Sequence, residues 1–299
     1  MKKLLIILLL VVLALPLFAQ DNEIVLQTST MPEAKLGYTR RFVFPVMQGE
    51  NPLTENNNVT LSLTAEATPI SINGIFKTVL TPIAFIELAV GGRIGAGWPV
   101  NLLGSDIYGT GLNLSDADGK AVYEGSAFDA LLWKAFIGGT FQFDLAALYP
   151  GDWNHVVALS YHELNFHGNT RAKAGQAWYF ESGDGENCNG LNYYGNYLIG
   201  YQMPIFLDMV ALLAEGELYL YDTPGRSVWG DDLMRWTYSG ILSFAVTEQF
   251  GIAVLAQLRT RRNYTEATKD LHYQSRVLNA SNPRCLEFYR VAAAFSYKF

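Results

Sequence analysis

The sequence predicts an all-β fold: a closed antiparallel transmembrane barrel of about 10 strands, with short periplasmic turns at one end and long extracellular loops at the other. Three observations predict it. A secretory leader stands at the start, no later segment has the roughly 18 uncharged apolar residues of a helical span, and many segments alternate apolar with polar or small side chains. The first says that the chain is exported and the second excludes a helical membrane protein. The third leaves strands that turn one face to hydrocarbon and the other to an interior.

The leader is the first element. Met1-Lys2-Lys3 is basic, residues 4–15 are almost unbroken apolar, Pro16 ends the run, and small Ala19 precedes the expected cut before Gln20. The expected organisation is a signal peptide at 1–19, a short periplasmic lead-in at 20–34 and a barrel over 35–299. Losing Lys2 and Lys3 takes the formal charge from −7 to −9. A nucleic-acid partner is therefore not expected, because a phosphate-binding surface needs a basic excess. The 17 Phe, 17 Tyr and 6 Trp are a heavy aromatic load, and a membrane barrel places such rings at its two interfaces.

The strands follow in order. Residues 59–67 read Val-Thr-Leu-Ser-Leu-Thr-Ala-Glu-Ala, with Val59, Leu61 and Leu63 on one face and Thr60, Ser62, Thr64 and Glu66 on the other. The same period returns over 210–220, 236–246 and 252–261, and with more noise over 36–46, 83–95, 128–145, 156–166, 193–203 and 288–299. Links rich in Pro, Gly, Asp or Asn at 149–154, 203–208 and 248–251 are the expected short turns. The expected long loops are 48–58, 97–126, 168–192, 222–233 and 263–285. The stretch 68–82 is ambiguous, because Thr68-Pro69 and Thr81-Pro82 both look like strand ends; a further hairpin there makes the count 12.

The last strand carries a resemblance. Val291, Ala293, Phe295, Tyr297 and Phe299 share one face and finish on an aromatic residue. This resembles the terminal strand of Gram-negative outer-membrane β-barrel proteins. The resemblance implies an integral outer-membrane location, with Phe295, Tyr297 and Phe299 as the signal read by the barrel-assembly machinery, and with outer-membrane lipid around the wall. On the outward face Tyr38, Trp133, Tyr201, Trp236, Tyr238 and Tyr297 lie near strand ends, where amphipathic rings favour the interface. Arg40 also points outward by the alternation and must sit at a rim.

The inward face is charged. The alternation places Glu87, Arg93, Lys134, Glu215, Glu217, Arg235, Arg259 and Arg261 in the lumen, together with Arg41, Glu66, Asp144, Arg290 and Lys298. Unpaired buried charges cost several kcal/mol, so the expected interior is a largely paired network, with Glu215 and Glu217 facing Arg259 and Arg261. The expected function is a narrow channel for small ions or solutes, or a structural surface barrel, and no cofactor or metal is called for. Two rim-hydrolase alternatives rest on local similarity. Asp270-Leu271-His272 and Asp116-Ala117-Asp118 resemble the acidic and imidazole pairs of omptin proteases. The stretch 161–168, with His162 expected inward at the outer rim, resembles the outer-membrane phospholipase motif but lacks Ser at the nucleophile position. The long loops could also build an adhesin-like binding surface. Cys188 and Cys285 both fall in expected loops, and an exported chain meets conditions that allow them to form a disulfide. The acidic run 181–189 lacks the spacing of a calcium loop, and Gly91-Gly92 reads as a strand whose small residues admit large neighbours.

Overall fold

A computed structural model describes residues 21–31, 33–102, 105–181, 185–221 and 225–299. The expected leader lies outside them. Among the described residues, 12 strands close into one antiparallel ring. They are β1 (Asp21–Ser29), β2 (Ala34–Pro45), β3 (Asn58–Thr68), β4 (Ser71–Ile83), β5 (Ile86–Gly97), β10 (Leu132–Asp144), β11 (Val156–Asn169), β13 (Gly190–Gln202), β14 (Leu207–Tyr219), β15 (Arg235–Ala245), β16 (Phe250–Arg262) and β17 (Arg284–Lys298). The ring follows chain order and closes where β1 pairs β17.

Two strands come from segments that the alternation did not resolve. The lead-in expected at 20–34 is corrected: Asp21–Ser29 is a full barrel strand, paired on both sides. Only Ile24 and Leu26 carry its outward apolar face, and Val25 between them blurs the period. The ambiguous stretch 68–82 adds one strand, β4, whose inward Ile75 and Val79 break the alternation. Its Pro82 falls where the register slips between Leu80 and Ile83, a place in a sheet that tolerates proline. These two additions give the alternative count of 12 strands, reached by one strand at each place rather than by a hairpin within 68–82. They also reverse β2 and β3, so residues 46–57, expected as a long outer loop, sit at the end that carries the short turns. There the Asn57 side-chain amide donates to the carbonyls of Met47 and Pro82 at 3.0 and 2.6 Å. From β5 onward the two omissions cancel, and strand directions match the alternation.

Paired residues share a face, so the registers fix what the wall shows to each side. Outward residues include Leu36, Phe76, Leu88, Ile137, Phe141, Ile199, Leu212 and Phe288, all exposed and apolar. Two shallow grooves of about 520 and 590 Å³ interrupt this surface, lined on the outside by residues such as Ile72, Phe76 and Trp133, or Ile199, Leu212 and Phe288. Their outward lining is mostly apolar and suits acyl chains. On the inner face Phe136 lies over Gly91, where a β-carbon would stand 2.5 Å from the ring.

The loop end is capped. The β5–β10 connection carries β6 (Pro99–Leu102), β7 (Ser105–Tyr108), β8 (Thr110–Ser115) and β9 (Ala121–Glu124), and the β11–β13 connection carries β12 (Trp178–Phe180). β12, β8 and β9 form a small sheet whose Leu112 and Trp178 pack on inward Leu132 at the top of β10. A second buried cluster joins Ala177, Cys188, Tyr219, Tyr221, Trp229 and Tyr273, with Trp229 coming from the one-turn helix α1 (Arg226–Trp229). The His272 N–H donates to Gly119 O at 2.7 Å, tying the β16–β17 loop to the β8–β9 turn.

Candidate functional site

The candidate site is the lumen and its capped mouth. Glu87, Arg93, Lys134, Glu215, Glu217, Arg235, Arg259 and Arg261 all fall on the inward register. The alternation did not assign several partners that complete their pairs. Lys134 meets Glu163 on the neighbouring strand at 2.6 Å, and Arg235 meets Glu217 at 2.7 Å. Arg259 bonds Glu287 at 2.8 Å, with Arg261 3.6 Å from the other oxygen. Arg41 meets Glu23 at 2.5 Å. The expected pairing of Glu215 with Arg259 is corrected. Glu215 accepts the Tyr194 hydroxyl at 2.6 Å, and Arg259 has its carboxylate one strand away.

Each missed partner has a local cause. Glu163 lies in a strand where both faces look half polar, and the expectation of an inward His162 turned the adjacent Glu163 outward. Glu287 and Arg290 are three apart yet both point inward, because the register slips at Gln257/Leu258 and leaves Tyr289 as the extra residue. Glu23 sits in the strand that the sequence left out.

At the mouth, two carboxylates from the β11–β13 loop reach basic groups of the wall. Glu181 accepts from the Ser71 hydroxyl at 2.7 Å and the Asn73 amide at 3.1 Å, with Lys35 and Arg93 at 3.6 and 3.5 Å. Burial opposes its charge, but Lys35, Ser71, Arg93 and Asn73 together hold the carboxyl below the usual glutamate range. Glu186 bonds Arg262 at 2.7 Å, with Arg276 at 3.9 Å and Arg235 at 4.0 Å. Arg262 also meets Asp231, which accepts the Tyr273 hydroxyl. Both loop glutamates of the acidic run thus face cations of this chain; Ser182, Gly183 and Asp184 lie outside the described residues.

The hydrolase motifs are placed differently from expectation. His272 is buried, and its Nε2 bonds the Asn113 carbonyl at 3.1 Å rather than a carboxylate. Asp116 spends Oδ1 on the backbone N–H groups of Asp118 and Lys120, which shapes the β8–β9 turn. His162 is corrected from inward to outward, opposite Gly139 and Gly195. There it bonds the Ser160 hydroxyl at 2.9 Å and the Tyr193 hydroxyl at 2.7 Å, and Tyr193 in turn meets Tyr197 at 3.2 Å. Gly195 makes room for this chain of groups, since a β-carbon there would stand 2.6 Å from the Tyr193 oxygen. Internal bonding of this kind lets polar groups face lipid at reduced cost.

Both cysteines are free in this structure. Cys188 is buried in the cap, where burial pushes its thiol up to about 12, and Cys285 is exposed near the start of β17. Phe295 and Tyr297 face outward with Ile252 and Phe250 opposite them, and Tyr297 stacks on Phe299 at 5.9 Å between ring centres. Arg40 is outward as expected, on the turn-end half of β2 opposite Asn22 and Leu63.

No protein-family model matches the chain, and no curated protein matches it in sequence. Among solved structures it is similar to one titled KdgM porin, at 10% identity and a TM-score of 0.41, covering 93% of this chain and 99% of that one. The closed ring of 12 strands, apolar outside and charged within, makes this chain an integral barrel of the outer-membrane class.

Proposed function

We propose that the protein is a narrow aqueous channel for small solutes, with its outer mouth covered by a folded cap. One observation carries this reading: the ion pairs run along the wall between neighbouring strands, as in Lys134–Glu163, Arg235–Glu217, Arg259–Glu287 and Arg41–Glu23. Pairs of that kind satisfy each charge without bridging the lumen. Barrels of about 8 strands are filled by side chains and those of about 16 hold open water. By that scale, a ring of 12 with its charges held against the wall has room for a central path of intermediate width. Electrophysiology tests it directly. Refolded protein in a planar bilayer should give discrete, reproducible conductance steps, and an electrically silent bilayer containing correctly folded barrel would overturn the proposal.

A further inference from the structure

The Glu181 carboxylate sits among donors that come from three strands of the wall. Lys35 belongs to β2, Ser71 and Asn73 to β4, and Arg93 to β5. Glu181 comes from the β11–β13 loop, so its segment reaches over β10 to arrive there. We propose that Lys35, Ser71, Asn73 and Arg93 form a binding site for the carboxylate of an anionic solute, and that Glu181 occupies this site until a solute displaces it. The proposal rests on the channel reading and names the solute class that the mouth selects.

Three observations support a replaceable occupant. The cations are not spent: Lys35 and Arg93 are each shared between Glu181 and Glu66 at 3.5–3.9 Å. A direct charge-assisted contact is closer to about 2.8 Å. The Arg93 Nη2 is buried and makes no hydrogen bond among the described residues, although the Nε of the same group donates to Asn73 at 3.1 Å. The site therefore keeps donor capacity that its present occupant does not use.

The occupant is also held at a cost. Glu181 has φ 52°, a left-handed backbone conformation that its β-carbon disfavours, and its N–H is fixed to Gly109 O at 2.8 Å. A free carboxylate carries no such constraint. Phe180, the preceding residue, lies 4.9 Å from the Arg93 guanidinium and covers one side of the site. Glu186 provides the contrast. Its 2.7 Å bond to Arg262, whose side chain is 6% exposed, is the short direct contact that Glu181 lacks with Lys35 and Arg93.

The test uses the full refolded barrel, with gluconate as probe and sorbitol as its neutral counterpart. Calorimetry should detect weak gluconate binding to the wild type, because tethered Glu181 competes at high effective concentration. Glu181→Ala should tighten that binding by about tenfold or more, and adding Arg93→Met to it should abolish binding. Sorbitol should bind none of the three. Retention of the heat-sensitive folded gel form in each variant shows that the barrel is intact, and Lys35→Met offers the same loss if the Arg93 variant does not fold. Equal gluconate affinity in wild type and Glu181→Ala would overturn the displacement, and no binding to either would overturn the site. Conductance recorded on the same preparations separates the two claims. A conducting barrel that ignores gluconate leaves the channel and removes the site, whereas gluconate binding by a silent barrel does the reverse.

Discussion

A charge on the inner wall is stabilised by the side chain directly across one inter-strand gap. Arg259 and Glu287 show it: both side chains are less than a third exposed and their contact is 2.8 Å. Arg259→Met should leave Glu287 to Arg261 alone, 3.6 Å away and mostly solvated. A double-mutant cycle of Arg259→Met with Glu287→Gln, followed by urea unfolding in detergent or liposomes, should give a coupling energy on the order of 1 kcal/mol. The same cycle of Arg259 with Glu215 should give coupling near zero. Equal coupling in the two cycles would mean that the charges interact across the lumen. At this scale the sequence was half legible. Alternation placed one member of most pairs inward, since a period of two needs only one clean strand face. Glu287 was hidden by the extra residue Tyr289, and Glu163 by a strand that is polar on both faces.

Elements were legible where the two faces differ strongly, as in β3, and not where they do not. β1 and β4 escaped for that reason. The cap escaped for another, because its short strands pack on one another and on inward Leu132 rather than on lipid, so no membrane period marks them. His272 links cap and pH. Burial is the main cause that holds its imidazole below the ordinary value of 6.5, with Arg276 adding to the effect against the Asn113 carbonyl. The folded cap therefore prefers neutral His272, while the released loop binds a proton near 6.5. The stability that this group contributes is complete above that value and is lost as pH falls below it. Limited proteolysis of the folded barrel should accordingly cut the 263–283 loop faster at pH 5 than at pH 7.5, and His272→Gln should flatten that difference. A rate indifferent to pH in the wild type would remove His272 from the cap's stability.

For the whole molecule, wall orientation and a wet interior make one joint demand. Leu212 and Leu213 are adjacent near the middle of β14; the first is 66% exposed on the outer face and the second points inward. Leu212→Arg places a charge in hydrocarbon and should cost about 2–4 kcal/mol. Leu213→Arg enters the lumen and should cost much less if water is present there. Folding equilibria in liposomes measure both, and equal losses would mean a misassigned register or a dry interior.

The ring closes through β1 and β17, with Glu23 opposite Lys298 and Asn22 bonded to Phe299. Strands side by side in space are thus the most distant in the chain. Every other seam joins strands that follow one another round the ring, and each can form as soon as its second strand is available. The β1–β17 seam cannot; it waits for the whole chain, and until then two edges with unpaired backbone groups stand open. Time, in this barrel, is written into one line of hydrogen bonds: the seam that forms last is the one at which an unfinished sheet would join a foreign strand.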